Sequence, residues 1–176
     1  MAKFKILIVF LFLISFLSKI HAENWPCWRG PRGDGTSTET NLPVPWDSNT
    51  NVIWKSIVPG SGHSSPIIWE DKLFTTTAIK ESHEKVLLCY NAINGDFIWQ
   101  KTVVKSEFED KHGDNSYASG TPATDGKLVY VSFLDGEEVV VAAYDFSGNQ
   151  IWMQRPGKFS SPHGYSCSPV LFEGKV

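Results

Sequence analysis

The chain has 176 residues, a formal net charge of −3 and 20% charged residues. That balance gives no electrostatic footprint for nucleic acid, which requires a basic patch or stripe. Its three cysteines, Cys27, Cys89 and Cys167, stand too far apart for any two to form a metal-ligand pair by local spacing, and their odd number leaves no simple disulfide framework.

Residues 1–22 read as a secretory signal peptide. Lys3 and Lys5 make a positive start, Ile6 to Leu17 is apolar apart from Ser15, and Ala22 offers a small residue for cleavage; Ile20 departs from the usual small residue. The apolar run is too short to span a bilayer comfortably, and no later segment is long and apolar enough to do so. Removal of residues 1–22 takes the net charge from −3 to −6, with 13 basic against 19 acidic residues left. A lead segment follows over residues 23–50, opening with "NWPCWRGPRGDG" from Asn24 to Gly35. Its Arg32-Gly33-Asp34 triplet is a three-residue match of the kind that arises by chance, and it carries no adhesion assignment.

Three stretches then repeat: "SSPIIWEDKLFTTT" from Ser64, "GTPATDGKLVYVSF" from Gly120 and "CSPVLFEGKV" from Cys167. Each sets Ser or Thr before Pro, then a short strand, a turn, a Lys and an apolar β-run. A second marker recurs in "NVIW", "DFIW" and "NQIW", ending at Trp54, Trp99 and Trp152, with Gly95 and Gly148 each four residues before the last two. The prolines are 56 and 47 residues apart and the tryptophans 45 and 53 apart. Two markers sharing a period near 50 indicate a repeat architecture. Each full unit predicts four strands, at 65–70, 72–78, 85–93 and 96–103, and at 120–124, 127–133, 139–145 and 149–155. The breaks between them carry Asn-Gly, Asp-Gly and Ser-Gly turn chemistry.

The interior strands are continuous apolar runs ("VLLCY", "LVYV", "VVVAAY"), so both faces of each sheet must be covered. Cys89 and Cys167, in strand-like contexts, read as small buried hydrophobes. Four-stranded antiparallel sheets packed face to face on similar neighbours define an all-β fold, the β-propeller. The partial propeller is expected over 51–176: a closing strand at 51–58, one blade at 64–103, a second at 120–155 and the start of another at 167–176. With about two and a half blades, the chain reads as a fragment of a longer protein.

On these residues the repeat resembles the PQQ-like (pyrroloquinoline quinone, quinoprotein-type) β-propeller repeat, whose units end in Ala-x-Asp-x-x-Thr-Gly-x-x-x-Trp. "AINGDFIW" and "YDFSGNQIW" keep the Gly-x-x-x-Trp core. Asn94 stands for the Thr, Asn91 lies near the Asp position, Ala92 is shifted by one, and the second copy has one residue fewer before Gly148. The opening stretch, with "LPVPWDSNTNVIWK" and "GSGHSSPIIW", is similar to exported PQQ-like propeller proteins of planctomycetes and related bacteria. Some of these carry a likeness to BamB, a lipoprotein scaffold, and that likeness is one of fold. The resemblance implies that Trp99 and Trp152, and with them Trp54, dock between neighbouring blades on glycine turns such as Gly95 and Gly148. It also implies that Trp25, Trp28, Arg29 and Pro31 pack as a fixed lead over the propeller, where Trp and Arg cover apolar surface while keeping a polar tip.

The linkers before each Ser/Thr-Pro hold His63, Asn115 and Tyr117, and His163 and Tyr165. If the Ser/Thr-Pro strand is innermost in its blade, these residues surround one mouth of the channel and form a candidate ligand site. The other reading is that the linkers satisfy backbone groups in tight inter-blade crossings. His83 and His112 lie in charged loops and read as solvated. Neither a nucleophile elbow nor a phosphate loop occurs. Two functions follow. One is an exported, periplasmic or secreted, non-catalytic propeller that binds an envelope protein or small ligand, with no cofactor and no metal. The other, implied by the resemblance alone, is a quinoprotein dehydrogenase using PQQ and calcium to oxidise alcohols or sugars. The adjacent cysteines and acidic cluster common in those enzymes are not visible in this sequence.

Overall fold

The computed structural model describes residues 22–176; the expected signal peptide, apart from Ala22, lies outside the described residues. Eight strands follow one another: β1 (Ile67–Trp69), β2 (Lys72–Ile79), β3 (Glu84–Asn91), β4 (Phe97–Lys105), β5 (Ala123–Thr124), β6 (Leu128–Asp135), β7 (Glu138–Asp145) and β8 (Gln150–Lys158). They form two four-stranded sheets, β1-β2-β3-β4 and β5-β6-β7-β8, with every neighbouring pair antiparallel. All eight strands fall where the repeat places them. The ends differ: β1 and β5 start only after Pro66 and Pro122, which have no N–H to give a ladder. β4 and β8 run on to Lys105 and Lys158, because their exposed edge position weakens the apolar pattern that would mark their length.

Strand alternation sorts the side chains into two faces. In the first sheet Phe74, Cys89 and Trp99 stand in one cross-strand row, and they face the second sheet. Across from them are Val129, Val131 and Phe133 of β6 with Val140, Ala142 and Tyr144 of β7, all in one core. Phe74 is fully buried, with ring centroids 5.9 Å from Trp99 and 5.1 Å from Phe146. The opposite face of the first sheet holds Val86, Leu88 and Tyr90, packed with Leu73 and Ile79. Residues 57–61 cross this face: the Tyr90 hydroxyl donates to the Ile57 carbonyl at 3.0 Å and Thr77 Oγ1 to the Pro59 carbonyl at 2.6 Å. Both faces are therefore covered, which is why the strands read as unbroken apolar runs.

Residues 51–58, the expected closing strand, pair with no strand among the described residues, and Ile53 and Ile57 are exposed. In the stretch 167–176, Phe172 and Lys175 form an isolated bridge around Glu173 and Gly174. That bridge repeats the Trp69–Lys72 pairing that closes the β1–β2 hairpin. Cys89 is buried and burial pushes its thiol up to about 12, whereas Cys167 is exposed. The expectation of a buried Cys167 is corrected: its segment belongs to neither sheet.

The lead meets expectation at Trp25 and departs from it further on. Trp25 reaches the blades, exchanging both backbone hydrogen bonds with Ile68 of β1 at 2.8 and 2.9 Å, and the Thr124 amide of β5 donates to the Pro26 carbonyl at 2.8 Å. Asn24 Oδ1 accepts the Glu70 amide at 2.7 Å. Residues 24–26 thus lie along the free edges of β1 and β5 and tie the two sheets together. Trp28, Arg29 and Pro31 are exposed. Arg29 sits 4.5 Å over the Trp28 ring, so these two side chains cover each other instead of the propeller.

Candidate functional site

Up-and-down strand order separates two ends. The turns at 70–71, 92–96, 125–127 and 146–149 lie at one, with the lead. The hairpins at 80–83 and 136–137 and the linkers 60–66, 106–122 and 159–168 lie at the other.

At the turn end, Trp54 and Trp99 each meet the glycine turn of the sheet that follows. Trp54 Nε1 donates to the Ala92 carbonyl at 3.1 Å, and Trp99 Nε1 to the Phe146 carbonyl at 3.0 Å. Gly95 and Gly148 have φ of 76° and 84°, a region that favours glycine. A Cβ on Gly95 would lie 2.5 Å from the Trp54 ring, and one on Gly148 3.1 Å from Trp99. The carboxamide of Asn91 and the carboxylate of Asp145 play one part in the two turns. Asn91 Oδ1 accepts the amides of Ile93 and Asn94 at 2.8 and 3.2 Å, and Asp145 Oδ1 those of Ser147 and Asn149 at 2.9 and 2.8 Å. The residue missing from the second copy is taken up in the turn: Gly95 bonds back to Asn91, Gly148 back to Asp145. Trp152 is half-buried, with its ring 6.0 Å from Tyr130 on the face turned away from the first sheet.

At the linker end the three Ser/Thr-Pro residues form a chain. The Ser65 amide donates to Thr121 Oγ1 at 3.1 Å, and the Thr121 amide donates to Ser168 Oγ at 3.0 Å. Each hydroxyl satisfies the amide of the preceding repeat's Ser/Thr, beside a proline that cannot help. The His63 and Ser64 amides both donate to the Ala118 carbonyl, at 3.0 and 3.1 Å, and His63 also to Ser116 Oγ at 3.0 Å. Asn115 Nδ2 donates to the His163 carbonyl at 2.7 Å, and its Oδ1 accepts Ser116 N–H and Ser119 O–H at 2.8 and 2.7 Å.

The five residues singled out in sequence therefore divide. Asn115 joins the linker of His163 through its side-chain amide, which donates to the His163 carbonyl, and His63 reaches the 116–118 stretch through its own backbone amide. The rings of His63 and His163 are exposed. Tyr165 turns inward: its hydroxyl hydrogen-bonds Ser132 Oγ, its ring meets Phe159 edge-on at 5.4 Å, and burial raises its pKa. Tyr117 stacks on Phe108 at 4.1 Å, and Phe108 stacks in turn on His83 at 5.7 Å. The expectation of a solvated His83 is thus corrected, since it is half-buried in an aromatic stack. His112 is exposed, with its ring 5.9 Å from that of His163.

Sequence reading missed Lys85. Its side chain is only 1% exposed, its Nζ lies 2.5 Å from Glu109 Oε2 and donates to the Leu134 carbonyl, and the Phe108 ring is 5.6 Å away. Burial drives its pKa below that of an ordinary lysine, against the Glu109 hydrogen bond and charge that raise it. The pair ties the first sheet and the 106–109 loop to the β6–β7 hairpin. The signal was present in the alternation: Lys85, Leu87 and Cys89 share the phase that faces the core, and a lysine there needs a buried partner.

Among the described residues no group of three or more His, Cys, Asp or Glu side chains is placed to hold a metal ion. Cys27 is half-buried, Cys89 buried and Cys167 exposed, with no two paired. A groove of about 510 Å³ lies between residues 54–66 and the first sheet, lined by Trp54, Val58, Pro66, Leu73, Thr75 and Tyr90; its lining offers no charged group.

These features define the class by architecture: consecutive four-stranded antiparallel blades, each locked to the next, form part of a β-propeller. No protein-family profile matches the chain, and no curated protein matches it. Among solved structures it is similar to BamB from Moraxella catarrhalis, with a TM-score of 0.50 and 19% sequence identity over 69% of this chain. The match spans 35% of the length of that protein. At this identity the likeness shows the fold.

Proposed function

We propose that the chain is part of an exported, non-catalytic β-propeller that offers its linker end to an envelope protein or a small ligand. The observation that supports this reading best is the backbone knitting of residues 60–66, 114–121 and 161–168. Hydrogen bonds fix the three linkers, and the exposed rings of His63, His112 and His163 stand on that fixed platform. A surface ordered before it meets a partner loses little entropy on binding. The polar groups of Tyr165 and Asn115 hydrogen-bond within the protein and the Tyr117 ring stacks on Phe108, so these three hold the platform. The fold shared with BamB fits a scaffold role, and a fold by itself does not assign one.

The test compares the exported protein with His63→Ala and His163→Ala. Recovery of envelope partners in pull-downs is expected to fall for both, with thermal midpoints near the wild-type value. Unchanged recovery overturns the choice of face. Saturable binding of PQQ with calcium, followed by dye reduction with alcohols or sugars, overturns the non-catalytic reading.

A further inference from the structure

Glu23 opens the lead and is held at both of its polar ends. Its carboxylate accepts Nη1 and Nη2 of Arg32 at 2.5 and 3.0 Å, the Ser37 hydroxyl at 3.2 Å and the Thr38 amide at 3.4 Å. Its main-chain nitrogen lies 2.6 Å from Glu39 Oε1. Asp34 accepts the Thr36 amide and hydroxyl at 2.8 Å each, and Arg32 also donates to the Thr36 carbonyl. Residues 32–39 therefore fold back around Glu23.

The charges in this knot do not balance. Glu23, Asp34 and Glu39 are three carboxylates, Arg32 is their one cation among the described residues, and Arg29 is turned over Trp28. Among the described residues, the Glu23 nitrogen is the donor that Glu39 has. As an internal amide it is a single, neutral donor. Immediately before it stands Ala22, a small residue closing a positive start and an apolar run, the pattern that an export peptidase cuts.

We propose that cleavage of the Ala22–Glu23 bond completes the knot. Water adds across the peptide bond, leaving a carboxylate on Ala22 and an α-ammonium on Glu23, and the ammonium pairs with Glu39. The acceptor already stands at hydrogen-bond distance, a neutral donor becomes a cation with three N–H bonds, and the second cation offsets half of the excess negative charge. The next residues, Asn24 to Pro26, are those that bond to Glu70, Ile68 and Thr124. Maturation thereby anchors the segment that ties the two blades. This inference rests on export, one part of the proposed function.

The protein, expressed from Met1 in an exporting bacterium, is expected to yield a chain beginning at Glu23 by mass spectrometry. An ion pair holds the proton on the α-amino group, so acylation of that group near neutral pH is expected to run roughly 1.5- to 5-fold faster in Glu39→Gln, the range for an exposed ion pair. A Glu23 start with equal acylation rates overturns the ion pair and leaves export standing. A start at another residue, or an exported chain that retains Met1, overturns the completed knot and leaves export standing; a chain retaining Met1 inside the inner membrane overturns both.

Discussion

Trp99 and Trp152 hold the same place in their repeats and have different surroundings. Trp99 bonds to Phe146 of the next sheet, lies on Gly148 and joins the buried core through Phe74. Trp152 meets Tyr130 of its own sheet. Within these 176 residues one sequence marker thus has two sets of contacts, because what the ring contributes is set by what packs on it and not by the strand that carries it.

The largest effect expected sharpens this contrast. Trp99→Ala removes a large, half-buried aromatic packed on the core and leaves the Phe146 carbonyl without its donor, at a cost toward the low end of about 3–5 kcal/mol. Trp152→Ala in the same 176-residue chain is expected to cost less than half of that. Urea midpoints check both, and equal shifts would break the comparison.

The buried ion pair ranks next. Glu109→Ala strands the Lys85 ammonium, and removing one partner of such a pair costs about 3–5 kcal/mol, reduced here because the Glu109 side chain keeps 11% exposure. Joint replacement, Lys85→Met with Glu109→Leu, is expected to recover much of the loss, since two apolar groups need no partner. A double-mutant cycle in urea with no coupling between the two sites would remove Lys85 from the inter-blade contacts.

Smaller again is the hydroxyl chain. Thr121→Val keeps the shape and leaves the Ser65 amide without its acceptor, expected to cost about 1–3 kcal/mol; Thr121→Ser is expected to restore most of it. A thermal midpoint that ignores Val would show that the Ser/Thr-Pro step serves its own strand alone.

Least in energy is the lead, where the exposed Glu23 carboxyl is held down at about 2, chiefly by the Arg32 hydrogen bonds, from an ordinary 4.5. A depressed carboxylate contributes stability above its ordinary range and loses it as pH falls from about 4.5 toward about 2. Titration by side-chain NMR is expected to place the Glu23 midpoint well below the ordinary 4.5. A midpoint near 4.5 would dissolve the knot around residues 32–39.

Sequence alone determined the eight strands, their turns and the blade repeat, because each rests on short-range physics. Unbroken apolar runs in "VLLCY" and "VVVAAY" record burial on two faces, Pro66 and Pro122 mark where a ladder can begin, and Gly95 and Gly148 supply the positive φ that their turns require. The tertiary structure alone decided what those elements meet. Nothing within a repeat says that the Thr121 hydroxyl serves Ser65, that Lys85 finds Glu109, or that Trp25 bridges to Ile68 while Trp28 stays in solvent. These partners lie 24 to 56 residues apart in sequence, well beyond the span over which periodicity and turn chemistry act, and they meet only when one blade packs on the next.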